Sequence, residues 1–110
     1  MKLPNGERAF IDMVKLREYS LNTRHPEGKH KARVFQAALG LNFEDAEWLR
    51  DKLSKAAADL HCATGQLTAH GQRYIVDFAV SKHGKTALLR SAWIIRTGEE
   101  FPRLASCYVL

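Results

Sequence analysis

His30 is the side chain best surrounded for moving a proton. It stands between Lys29 and Lys31, with Arg33 one helical turn further on. Cutting RNA with protein groups alone needs an acceptor for the 2′-hydroxyl proton and a donor for the leaving oxygen. Imidazole suits either role near neutral pH. Neighbouring cations favour its neutral form and hold the phosphate under attack. The alternative is an exposed histidine at a helix start with no chemical part. A second group lies later in the chain. Arg90 and Arg96 alternate with Ala92 and Ile94 along one side of a strand-like run. Two such guanidinium groups can grip phosphate oxygens in pairs, or simply line the wetted face of a half-buried sheet. Near the end, Arg103 precedes Leu104-Ala105-Ser106-Cys107-Tyr108. Ser106 and Tyr108 share a side by alternation, so a hydroxyl and a phenol stand together. They can orient a phosphate or pass a proton, or form an ordinary polar face.

Other chemistries lack their residues. There is no glycine-rich phosphate loop, no GxSxG, no HExxH and no Cys/His nucleophile pair in a known context. Cys62 and Cys107 are too far apart for a CxxC pair, and the five histidines show no ligand spacing with them. No metal and no cofactor is expected. Cys107 reads as a small buried residue in a strand, and Trp93 as core rather than a platform for bases.

The elements that must position these residues follow from periodicity and breakers. Asp12 can cap a short helix reaching Tyr19, with Met13, Leu16 and Tyr19 at helical spacing. Asn22 to Gly28 is a loop broken by Pro26 and Gly28. A second helix runs from Lys29 or His30 to about Leu39, with Val34, Phe35, Ala38 and Leu39 as its apolar face. Gly40 supplies the left-handed stop. A third helix follows the Asn42 cap and buries Ala46, Leu49, Leu53, Ala56 and Leu60, leaving Glu47, Arg50, Asp51 and Lys55 to water. After His61 the period becomes two. Gly65 and Gly71 bracket a short edge strand. Arg73–Val80, Thr86–Arg96 and Leu104–Val109 are strands, joined by a turn at Ser81-Lys82-His83-Gly84 and another at Thr97-Gly98-Glu99-Glu100. Helices first and a meander second predict an α+β fold. N-terminal helices pack on one face of a C-terminal antiparallel sheet of three to four strands.

Composition bounds the rest. The chain has 110 residues, enough for a single domain spanning 1–110. Seventeen Lys and Arg against twelve Asp and Glu give a formal net charge of +5. From Arg24 to Arg33, four fixed positive charges and two histidines face the single Glu27. Such a cluster suits phosphates or an acidic protein, or a solvated loop. No apolar run is long enough to span a membrane, and no secretory signal opens the chain, so no membrane contact and a cytoplasmic location are expected.

Gly28-Lys29-His30-Lys31-Ala32-Arg33-Val34-Phe35 with Ala38-Leu39-Gly40 resembles the signature of an uncharacterised bacterial domain family of about this length. His70-Gly71-Gln72-Arg73-Tyr74, Trp93-Ile94-Ile95-Arg96 and Pro102-Arg103-Leu104 with Tyr108 continue the resemblance over nearly the whole chain. His70 stands where the family favours Tyr, and Ser106 where it favours Thr, which keeps the hydroxyl. Family members occur alone and at the ends of phage-head-like and polymorphic-toxin proteins. Their layout is similar to the barnase–EndoU–colicin–RelE class of metal-independent ribonucleases. The resemblance implies a small toxin-like endoribonuclease acting on RNA by general acid/base catalysis. His30, Ser106 and Tyr108 would be catalytic, and Lys31, Arg33, Arg90 and Arg103 would bind phosphate. An acidic antitoxin or immunity protein would be its partner. The competing reading is a basic binding module, without catalysis, that docks an acidic protein or RNA.

Overall fold

The computed structural model describes residues 1–110. Asp12 caps the first helix, its carboxylate accepting from the N–H groups of Val14 and Lys15 at 3.0 and 3.3 Å. This helix, α1, is α-helical over Met13–Lys15 and widens into a π turn over Leu16–Ser20. Helix α2 spans Lys29–Leu39 and ends at Gly40 with φ 69°. Asn42 and Asp45 close a reciprocal capping box around one 3₁₀ turn, Phe43–Asp45, and helix α3 follows over Ala46–Asp59. The boundaries of α2 and the cap of α3 are those expected. One position on α2 differs: Val34 is exposed, and Ala32 takes its place beside Phe35 and Leu39 in the buried stripe.

Four strands follow: β1 at Ala63–Thr68, β2 at Gly71–Lys82, β3 at Lys85–Arg96 and β4 at Arg103–Val109. They form one antiparallel meander in the order β1-β2-β3-β4. The β2–β3 turn is tighter than expected. Only His83 and Gly84 leave the ladder, with φ values of 56° and 72°, as a two-residue turn matched to strand twist requires.

All three helices lie on one face of the sheet. Tyr74, Val76, Phe78 and Val80 of β2, Leu89 and Trp93 of β3, and Cys107 of β4 meet Leu16, Phe35, Leu39, Leu49 and Leu53 in one core. Each fully buried Leu or Phe there contributes about 1.5–3 kcal/mol. The buried indole needs a partner and has one. Trp93 Nε1 donates to Ser91 Oγ at 2.9 Å, and Ser91 donates onward to the Val76 carbonyl at 2.7 Å. No helix is long and apolar enough to cross a membrane. The opposite face of the sheet carries no helix.

Strand β4 departs from simple alternation. Its register against β3 shifts between Ser106 and Leu104, so Ala105 is an extra residue. Leu104 sits opposite Trp93 on the core side, while Ser106 sits opposite Ala92 on the outer side. Arg103, opposite Ile94, also turns outwards. Without the bulge, Arg103 could not share a face with Ser106 and Tyr108.

Candidate functional site

The outer face is built by cross-strand register. Asp77 of β2 lies opposite Arg90 of β3, and Arg90 lies opposite Tyr108 of β4. Arg90 donates Nε to Asp77 Oδ1 at 3.0 Å and a terminal nitrogen to Oδ2 at 2.9 Å, a two-pronged ion pair. The hydrogen bond from Arg90 holds the Asp77 carboxyl below its ordinary range, against the opposing effect of partial burial. Asp77 in turn raises the guanidinium, and the Tyr108 hydroxyl adds to that in the same direction. Lys31, at the start of α2, completes the row. Its ammonium lies 4.6 Å from the centre of the Tyr108 ring.

A hollow of about 260 Å³ opens beside this row along the free edge of β4. Lys15, Tyr19 and Ser20 of α1 line it together with Lys31, Ser106 and Cys107. Lys15 reaches across to donate to the Ala105 carbonyl at 2.7 Å. Cys107 is no nucleophile here. Burial pushes its thiol up to about 12, outweighing the Ser20 hydrogen bond and the charges of Lys15 and Lys31. A second hollow of about 480 Å³ lies further along the sheet, lined by Lys15, His70, Arg73, Ile94, Arg96 and Arg103, among others. Arg73, Ile94 and Arg103 are themselves a cross-strand row.

The structure therefore gathers Lys31, Arg90, Ser106 and Tyr108, four of the residues expected to act together. It brings Lys31, not His30, to Tyr108. At roughly 100° per residue, Lys31 flanks the buried stripe of α2, and His30 falls on the opposite side. His30 and Arg33 are exposed and face away from the sheet. Arg103 lies in the second hollow, already engaged. It donates to both Glu99 oxygens at 2.9 and 2.8 Å and stacks against the rings of Phe10 and Phe101 at 5.0 and 4.9 Å. Arg103 holds Glu99 below its ordinary range, with help from the charge of Arg96. Sequence reasoning passed over Lys15, His70 and Arg73. Lys15 lies on α1, Arg73 on β2 and His70 in the turn before β2, and only the register and the packing of α1 beside β4 bring them together. Alternation alone had already placed Arg96 on the same face of its strand as Arg90.

Against known proteins, the family model described as "Domain of unknown function (DUF6883)" matches residues 2–110. Among solved structures, one similar chain comes from the "Contact-dependent growth inhibition toxin - immunity protein complex from Klebsiella pneumoniae 342". The TM-score is 0.68 at 12% identity, covering 91% of this chain and 98% of that one. At that identity the likeness is one of fold. No curated protein matches the chain.

Proposed function

The chain belongs to the DUF6883 family, and from that premise we propose that it is a toxin-like, metal-independent endoribonuclease working on the outer face of its sheet. The observation that carries the reading is the row Asp77–Arg90–Tyr108–Lys31. It sets a phenol between two cations beside a basic hollow. In the proposed reaction the 2′-oxygen of RNA attacks the adjacent phosphorus and the bond to the 5′-oxygen breaks. The products are a 2′,3′-cyclic phosphate and a 5′-hydroxyl. Tyr108 gives its proton to the leaving oxygen, the 2′-hydroxyl proton passes to water, and the phenolate regains a proton from solvent. Arg90 stabilises the transient phenolate, Lys31 the charge building on the non-bridging phosphoryl oxygens, and Ser106 donates to one of them. The net charge of +5 suits a polyanionic substrate.

The test is incubation with bulk tRNA and mRNA in EDTA at low salt. Tyr108→Phe should lower the cleavage rate by about a hundredfold or more. His30→Ala, on the far side of α2, should cut at the wild-type rate. Intact RNA with folded wild-type protein would overturn the reading.

A second reading has its own support. Arg90 and Arg103 are both occupied by carboxylates, and the similar chain comes from a complex of a toxin with an immunity protein. The outer face would then dock an acidic antitoxin or immunity-type protein without turnover, and Tyr108→Phe would change no RNA product.

A further inference from the structure

The chemistry proposed above uses the hollow beside Lys31 and leaves the second one unused. Yet the second hollow holds two arginines that stand outside every ion pair of the protein. The four ion pairs of the protein are Arg50–Asp51, Lys82–Asp45, Arg90–Asp77 and Arg103–Glu99. Neither Arg73 nor Arg96 takes part in any of them. Both line the second hollow, as does His70. Arg103 is fixed in place there by Glu99 and by two aromatic rings, so it loses little freedom when it meets a ligand.

The two hollows adjoin. Lys15 and Ala105 line both. The Lys15 ammonium spends one hydrogen bond on the Ala105 carbonyl and has two further donors. Along β3, Arg90 marks the first row and Ile94 the second. That four-residue step is ~13 Å, too far for one phosphate to touch both. The floor of the second hollow includes the half-buried, apolar Ile94. An unstacked base or sugar can rest on that apolar patch or against the planes of Arg73 and Arg96, whereas a paired duplex keeps its bases inside its helix.

We infer that the second hollow, with Arg73 and Arg96 as its phosphate ligands, is a second subsite for the same RNA strand, so that the substrate is a single strand long enough to span both hollows. The inference rests on the outer face being the RNA surface. It adds that affinity comes from a phosphate away from the scission point. Lys15 sits at the junction and serves both positions.

The experiment measures binding apart from cleavage. Fluorescence anisotropy follows a 2′-O-methyl dinucleotide and a 2′-O-methyl octanucleotide, neither of which can be cut because the attacking hydroxyl is blocked. The wild type should bind the octanucleotide at least about tenfold more tightly than the dinucleotide. The double variant Arg73→Ala/Arg96→Ala should lose about tenfold on the octanucleotide and little on the dinucleotide. Lys52→Ala/Lys55→Ala removes the same charge from α3 and should leave both unchanged. If the α3 variant loses as much as the sheet variant, only net charge matters and the subsite is overturned. It is equally overturned if the sheet variant binds the octanucleotide normally, or if the wild type binds neither oligonucleotide. Selective loss on the octanucleotide, from a wild type that never cuts RNA, would keep the subsite and sink the ribonuclease. Cleavage of long and short RNA at wild-type rates by the sheet variant would do the reverse.

Discussion

Arg90 shows how one side chain is prepared and restrained at once. Asp77 fixes its fork, which gives the guanidinium a defined direction towards Tyr108, and the same carboxylate cancels its charge. Arg103 and Glu99 repeat the arrangement in the second hollow. Both carboxyls lie below their ordinary range in the fold, chiefly because each accepts from its arginine. A depressed carboxyl stabilises the fold above its unfolded value, and that stabilisation is lost as pH falls through the folded value. The window therefore opens at about pH 4 and extends downwards. The urea midpoint should fall between about pH 5 and pH 3, and fall less in Asp77→Asn/Glu99→Gln. The difference should be small, because all four side chains are roughly a quarter to a third exposed. Equal slopes in the two proteins would mean that neither pair contributes.

Among the elements, α2 was legible from sequence and β1 barely so, for physical reasons. Helix α2 is bracketed by breakers, and Phe35 and Leu39 repeat at the helical period. Every residue of β1 is exposed, so no alternation marks it, and its pairing with β2 slips between Thr64 and Leu67. The bulge at Ala105 is invisible to a period-two reading, and it is what lets Arg103 join Ser106 on the outer face. The placement of Lys31 rather than His30 at Tyr108 depends on the helical angle at which α2 meets the sheet. That angle is set by burial of Ala32, Phe35 and Leu39, not by the basic residues. The start of α2 also has a support that composition hides. Gly28 offers no capping side chain, and His25 Nδ1 accepts from the N–H groups of Glu27 and Gly28 at 3.1 and 3.0 Å. His25→Ala should therefore cost about 1 kcal/mol in urea unfolding, as loss of a helix cap does, and His25→Asn should recover part of it. If alanine and asparagine behave alike, the imidazole is held by its packing on Tyr19 instead.

For the whole molecule, placing every helix on one side of the sheet leaves the other side free for a ligand, and charge pairing decides how strongly it can bind. Seventeen basic residues do not make seventeen contacts. On the outer face and in its two hollows, Arg90 and Arg103 are neutralised by carboxylates, while Lys15, Lys31, Arg73 and Arg96 form no ion pair, the charge of Arg96 acting on Glu99 only from further off. Each phosphate neutralised on a single strand releases about 0.7 of a counterion. Four unpaired cations therefore predict that log K for a 2′-O-methyl octanucleotide falls against log salt with a slope of about −3. If the two paired arginines also abandoned their carboxylates for phosphate, the slope would steepen to about −4. Anisotropy titrations between about 50 and 200 mM salt separate these cases. A slope near zero would mean that the strand is held without ionic contacts, against the role given to this face. A slope well beyond −4 would mean that the exposed cluster around His30 and Arg33 is also engaged, so that the strand wraps from the sheet onto α2.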